Sequence, residues 1–252
     1  MNIGKDLVSG VATVALTSSI TNPVCAGLVS ATIQPLLAGA IEEFGKRVLS
    51  TRENNRIIKV MQDAVCKINA RLEKGDIPRQ DDKFWMDNYV GVSDAKVILE
   101  GILLKSRDEY EEKKLPYYSN MIARMAFDSS WSYQRLNAMI RMFEQLSYRQ
   151  IQLISLVKRK GEIETPQWIV KFKRTPESYV YYDLFCEVSN LSNLGLFHQP
   201  GETFTTGIGD KQTLSPIGES MADLMELSSM PEEETNELDV MISLLNTKIL
   251  HM

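Results

Sequence analysis

The chain has 252 residues, of which 44% are hydrophobic and 24% charged, enough for one large domain or two small ones with buried cores. Those fractions exclude a wholly disordered chain and a polytopic membrane protein. The net charge of −5 argues against a dedicated nucleic-acid binder, which carries a basic excess.

The first fifty residues stand apart. Lys5 is followed at once by Asp6, and no A-x-A-like site closes a short apolar region, so a secretory signal is not expected. From Leu7 to Ile41 there are 35 residues without a charge, 13 of them Leu, Ile or Val and 17 of them Gly, Ala, Ser or Thr. Asn22-Pro23 splits this run into two helical halves, because proline disfavours helical geometry in the residue before it. The halves would be about 23 Å and about 27 Å long, each just short of the roughly 30 Å hydrocarbon core of a bilayer.

Two readings of the run stand side by side. It is a helical hairpin buried in a protein core, or it enters a membrane once released and oligomerised. The membrane reading takes Leu7, Val8, Val11, Val14, Leu16, Ile20, Val24, Leu28, Val29, Ile33, Leu36 and Leu37 as inserting residues. Ser9, Thr13, Thr17 and Thr21 recur every four residues and would line a pore. Gly10, Gly27 and Gly39 would let helices approach closely, as small residues do in membranes.

Beyond residue 50 the pattern is amphipathic. Ile57, Met61, Val65, Ile68 and Leu72 form a stripe on a helix that ends near Gly75. A polar linker with Pro78 follows, then a short helix around Phe84, Trp85 and Tyr89. Ser93-Asp94 caps a helix bearing Val97, Ile98, Ile102 and Leu104. The charged stretch Asp108 to Lys114 is expected to be exposed. Helices are expected over Tyr117 to Phe127, Trp131 to Leu146 and Ser147 to Lys160, which makes residues 51–162 a helical bundle.

The last third changes character. Gln167 to Lys173 alternates like a short strand, and Thr175-Pro176 starts a helix that stops near Gly195. Gly201 to Lys211 reads as a hairpin, and Leu214-Ser215-Pro216 opens another helix. That order is winged-helix-like over residues 163–230. Residues 231–252 are an acidic linker and a final amphipathic helix with Leu238, Met241, Leu245 and Ile249 on one stripe.

Charge is uneven. From Arg141 to Arg174 there are eight basic and three acidic residues; from Glu219 to Asp239 there are eight acidic and no basic ones. These are two solvated faces, or the acidic part docks on the basic one, or the basic part meets phosphate or anionic lipid. The residues for a partner or anionic surface are Arg149, Lys158, Arg159, Lys160, Lys171, Lys173 and Arg174.

No chemistry is legible. There is no nucleophile elbow and no P-loop, and Gly207 to Gly209 lacks the helix that a dinucleotide site needs. His198 sits in an expected loop. Cys25, Cys66 and Cys186 are odd in number and widely spaced, which fits a reducing compartment without a disulfide framework. No catalytic residue, metal site or cofactor is expected.

Leu99 to Phe127 (LEGILLKSRDEYEEKKLPYYSNMIARMAF), Gln145 to Leu156 (QLSYRQIQLISL), Leu191 to Phe197 (LSNLGLF) and Leu214 to Leu224 (LSPIGESMADL) resemble the Abi-alpha type of bacterial abortive-infection proteins. The resemblance implies phage defence in which the infected cell dies or stops growing, and it brings no catalytic residue. The expectation is a mainly α protein: a helical bundle, a C-terminal winged-helix-like module and the apolar N-terminal segment. It would be a non-enzymatic effector, cytoplasmic until a trigger such as a phage protein causes self-assembly, then a pore in the inner membrane. The alternative is a winged-helix DNA-binding regulator using the basic region 141–174.

Overall fold

The computed structural model describes residues 33, 36–37, 39–40, 44, 47–89, 91–164, 176–198 and 211–249. The described residues are mainly helical, as the periodicities predict, and the chain divides into two units after Glu144.

In the first unit, Ile33, Leu36, Leu37, Gly39, Ala40 and Phe44 are helical. The Arg47 guanidinium lies 4.6 Å from the Phe44 ring centre and pairs with Glu100. Helix α1 (Thr51–Glu73) starts at a reciprocal cap: Ser50 Oγ accepts from the Glu53 amide, and Glu53 accepts from the Ser50 amide. Ile57, Val60, Met61, Ala64, Val65 and Ile68 are buried along one face. At about 1.5–3 kcal/mol for each large side chain removed from water, this face is a principal stabiliser of the unit. It packs on α3 (Asp94–Asp108) and α4 (Leu115–Met125). Helix α5 (Tyr133–Gln145) joins through Phe143, which meets Tyr118 edge-on at 4.7 Å.

Two stretches of this unit depart from expectation. The linker after α1 is not merely polar surface. Arg79 is buried, donates to Met125 O (3.3 Å) and Trp131 O (3.0 Å), and pairs with both carboxylate oxygens of Asp81. Its guanidinium also stacks 3.7 Å from the Phe84 ring centre on the short α2 (Asp82–Trp85). The charged stretch Asp108 to Lys114, expected to be exposed, contains a buried ion pair, Lys114 Nζ to Glu109 Oε2 at 2.6 Å. Tyr118 Oη donates to the same carboxylate, and the Glu111 amide donates to its other oxygen. Three donors converge on Glu109, which is how a buried carboxylate is tolerated.

In the second unit, α6 (Tyr148–Lys160) is central. Leu153 to Val157 are buried without interruption, so more than one face of this helix is covered, as expected of a helix inside a core. A reciprocal cap between Ser147 and Gln150 opens it, and Gly161 at φ +83° ends it. Strand β1 (Ile163–Glu164) follows, then α7 (Pro176–Asn193), β2 (Phe197–His198) and β3 (Lys211–Leu214). The strands are ordered β1-β3-β2 with both pairs antiparallel, Ile163 opposite Gln212 and Phe197 opposite Leu214. The strand expected over 167–173 lies outside the described residues, as does most of the hairpin loop. His198, expected in a loop, is the last residue of β2 and is exposed.

Helix α8 (Pro216–Leu224) is docked by its first turn. Ser215 N donates to Leu196 O at 2.9 Å, and Ser215 Oγ accepts from Gly218 N at 3.0 Å. After a 3-10 turn (Leu227–Ser229), α9 runs from Glu232 to Ile249 and packs chiefly on α6. Glu232, Glu233 and Glu234 are the first turn of that helix rather than a linker, where negative charge suits the helix dipole. Among its residues with described side chains, Thr235, Leu238 and Ile242 are buried and Leu244 is exposed.

Candidate functional site

The N-terminal segment enters the described structure only at its end. Ile33, Leu36 and Leu37 are buried at 1%, 7% and 2% exposure, together with Phe44. Gly39 is exposed, and among the described residues nothing lies within 4 Å of where a Cβ would stand. Leu7, Val8, Val11, Val14, Leu16, Ile20, Val24, Leu28, Val29, Ser9, Thr13, Thr17, Thr21, Gly10 and Gly27 lie outside the described residues. Among the described residues, no helix is long and apolar enough to cross a membrane.

The second unit brings the basic and acidic stretches together. Lys158 pairs with Glu219 and, at 3.1 Å, with Asp223, so α6 is tied to α8. The hydrogen bond from Lys158 to Glu219 outweighs desolvation and raises the ammonium above its usual range. Lys160 pairs with Asp239 at 2.5 Å. Arg159 donates to Thr235 Oγ1, Gln152 Nε2 donates to the Glu234 carbonyl, and Tyr148 Oη donates to the Glu234 carboxylate at 2.7 Å. Arg149 lies 3.0 Å from Glu187 of α7 and also points a nitrogen at Met241 Sδ. Burial is the dominant influence on Glu187 and raises its pKa despite the facing guanidinium.

Of the seven residues expected to form an anionic-surface site, Arg149, Lys158, Arg159 and Lys160 are therefore engaged within the unit. Lys171, Lys173 and Arg174 lie outside the described residues. Spacing along α6 explains the split: Lys158 projects toward α8, whereas Tyr148, Gln152 and Arg159 recur on the side that meets α9. Tyr148 and Gln152 escaped the sequence reading because a charge tally does not register neutral donors, although their spacing from Arg159 was visible.

Other chemistry is sparse. Among the described residues, no group of three or more His, Cys, Asp or Glu side chains is placed to hold a metal ion. Cys186 is a free, exposed thiol. Lys114, Glu109 and Tyr118 form a buried cluster of titratable groups in the first unit. Each member is hydrogen-bonded or ion-paired to another, and burial beside Glu109 raises the Tyr118 phenol well above its ordinary value. Comparison with protein-family models, curated proteins and solved structures finds no match.

Proposed function

We propose that this chain is a non-enzymatic effector of the abortive-infection type. In this reading it rests in the cytoplasm of a bacterial cell with its N-terminal segment packed away. A phage-derived signal triggers self-assembly, and the segment then opens the inner membrane. The observation that carries the reading is the 35-residue uncharged run, whose described apolar residues Ile33, Leu36 and Leu37 are sequestered from water. A segment of this kind can exchange protein neighbours for lipid without desolvating a charge, the step that makes insertion costly. Assembly is required because one helical hairpin cannot surround water.

The second unit, in the same reading, is a winged-helix-like sensor. Support comes from the order α6, β1, α7, β2, β3 and from the antiparallel strand order β1-β3-β2. The regulator alternative gains nothing from the geometry. Four of its cations are already engaged by groups of this chain, and α7, which would enter a major groove in a winged helix, contains no Lys or Arg.

Dye release from liposomes tests the proposal. Removing residues 1–45 is a poor control, since it also deletes four buried side chains of the first unit. The cleaner variant is full-length Val14→Lys, which places a charge in the run at a cost of about 2.5–3.5 kcal/mol at a bilayer centre. With extract of phage-infected cells supplying the signal, the native chain is expected to release dye and the variant to lose release while keeping its circular dichroism. A native chain that never permeabilises anionic liposomes in the presence of that extract, or a variant that leaks equally, overturns the proposal.

A further inference from the structure

We propose that residues 47–50 are a hinge for the uncharged run, and that the Arg47–Glu100 ion pair is the catch that holds the end of the run against the first unit. The inference deepens the membrane reading, on which the consequence of opening rests. The hinge itself is tested without a membrane.

The chain is built to bend at this point. Phe44 is helical, Arg47 to Ser50 are not, and α1 begins at Thr51. The Arg47 amide donates to the Phe44 carbonyl at 3.0 Å, which closes the preceding turn. On the other side, Ser50 and Glu53 satisfy each other's amides, so α1 takes its cap from Ser50 and its own first turn. A helix capped in this way keeps its N-terminus whatever the chain before Ser50 does. Between the two ends, Val48 is 87% exposed and Ser50 is exposed, so neither side chain is buried in a packed joint.

Arg47 belongs with the run rather than with α1. Its guanidinium lies over the Phe44 ring and from there reaches Glu100 in the middle of α3. The pair spans 53 residues of chain and joins the two sides of the hinge. Its side chains are 29% and 44% exposed, so solvent and salt screen it in part. It is therefore not the main force that seats the end of the run; burial of Ile33, Leu36, Leu37 and Phe44 supplies that. What a half-exposed pair does is set the fraction of chains in which this end is seated. Pairs of this kind shift such an equilibrium by about fivefold at most. A shift of that size favours the closed state at rest and is overcome by a modest input.

Hydrogen exchange on the full-length chain tests the hinge. In Arg47→Glu and in Glu100→Arg, the amides of residues 33–44 are expected to exchange about fivefold faster than in the native chain, while those of α1 and α3 are unchanged. The variant carrying both substitutions restores a pair of opposite charges and should return to near the native rate. Raised sodium chloride should speed the same amides in the native chain, a check that needs no substitution. Unchanged exchange in the single variants, a loss of protection that spreads into α1, or a double variant as fast as the single ones overturns the proposal. Dye release from phosphatidylglycerol liposomes, without extract of infected cells, separates the hinge from the membrane reading. The single variants are expected to leak more than the native chain. Faster exchange without added leakage leaves the hinge standing and counts against the membrane reading alone.

Discussion

Gly218 shows how much one missing methyl group decides. A Cβ at this position would collide with the Leu196 carbonyl oxygen, a main-chain atom that cannot swing aside. That oxygen is already held by the Ser215 amide, and Ser215 also donates from Oγ to Gly195 O. Gly218 is therefore required for close approach of α8 to the start of β2, not for a left-handed backbone. Gly218→Ala is expected to destabilise the chain by about 1–3 kcal/mol, the usual cost of overpacking, measured by urea denaturation. This residue lies in the stretch LSPIGESMADL, so part of what that motif encodes is a packing contact.

The Lys114–Glu109 pair makes a second point at the same scale. Each charge has left water and depends on the other, since both side chains are at most 5% exposed. Glu109→Gln strands a buried ammonium and should cost about 3–5 kcal/mol. Combining Glu109→Gln with Lys114→Met should recover much of that loss, because no unpaired charge then remains buried. Urea denaturation of the two variants checks the difference. A loss no smaller in the double variant would mean that the pair matters for shape rather than charge. From the sequence, Asp108 to Lys114 reads as solvated because a run of charges usually is. Burial of Glu109 and Lys114 depends on α3, α4 and the 3-10 turn between them (Glu112–Lys114) folding around them, which no local pattern encodes.

Between elements, the Arg149–Glu187 contact of α6 with α7 predicts a pH effect. Burial raises the Glu187 pKa above its unfolded value, so the native state holds the proton more tightly than the unfolded chain. The sign follows from linkage: the stabilisation is present below the unfolded pKa and is lost as pH rises through the folded one, leaving a net penalty at pH 7. Glu187→Gln is expected to raise the melting temperature at pH 7, with the gain shrinking toward zero as the pH falls below the ordinary carboxylate value of 4.5. A variant that melts lower than native at pH 7 would show that attraction to Arg149 outweighs desolvation. Helix starts and stops were the most legible elements. Ser93, Pro216, Gly75 and Gly195 each mark an end by local chemistry, a side-chain cap, a preset φ or a left-handed turn. The inward face of α9 was less legible, because Leu238, Met241 and Ile242 all fit an apolar stripe and only the position of α6 selects among them.

For the molecule as a whole, the sequence alone determined the helical class and most element boundaries of the described residues. Each of these follows from periodicity and caps, properties that extend over a few turns of chain. The tertiary structure alone decided which charges are surface and which are structure. Arg79, Glu109 and Lys114 went inside, and the basic and acidic stretches found each other. The division into units after Glu144, rather than at the boundary near 162 that composition suggests, belongs to the same category, because α6 is assigned by what surrounds it. The physical reason is distance along the chain. Lys158 and Glu219 are 61 residues apart and Lys160 and Asp239 are 79 apart, so each pairing depends on the folding of everything between.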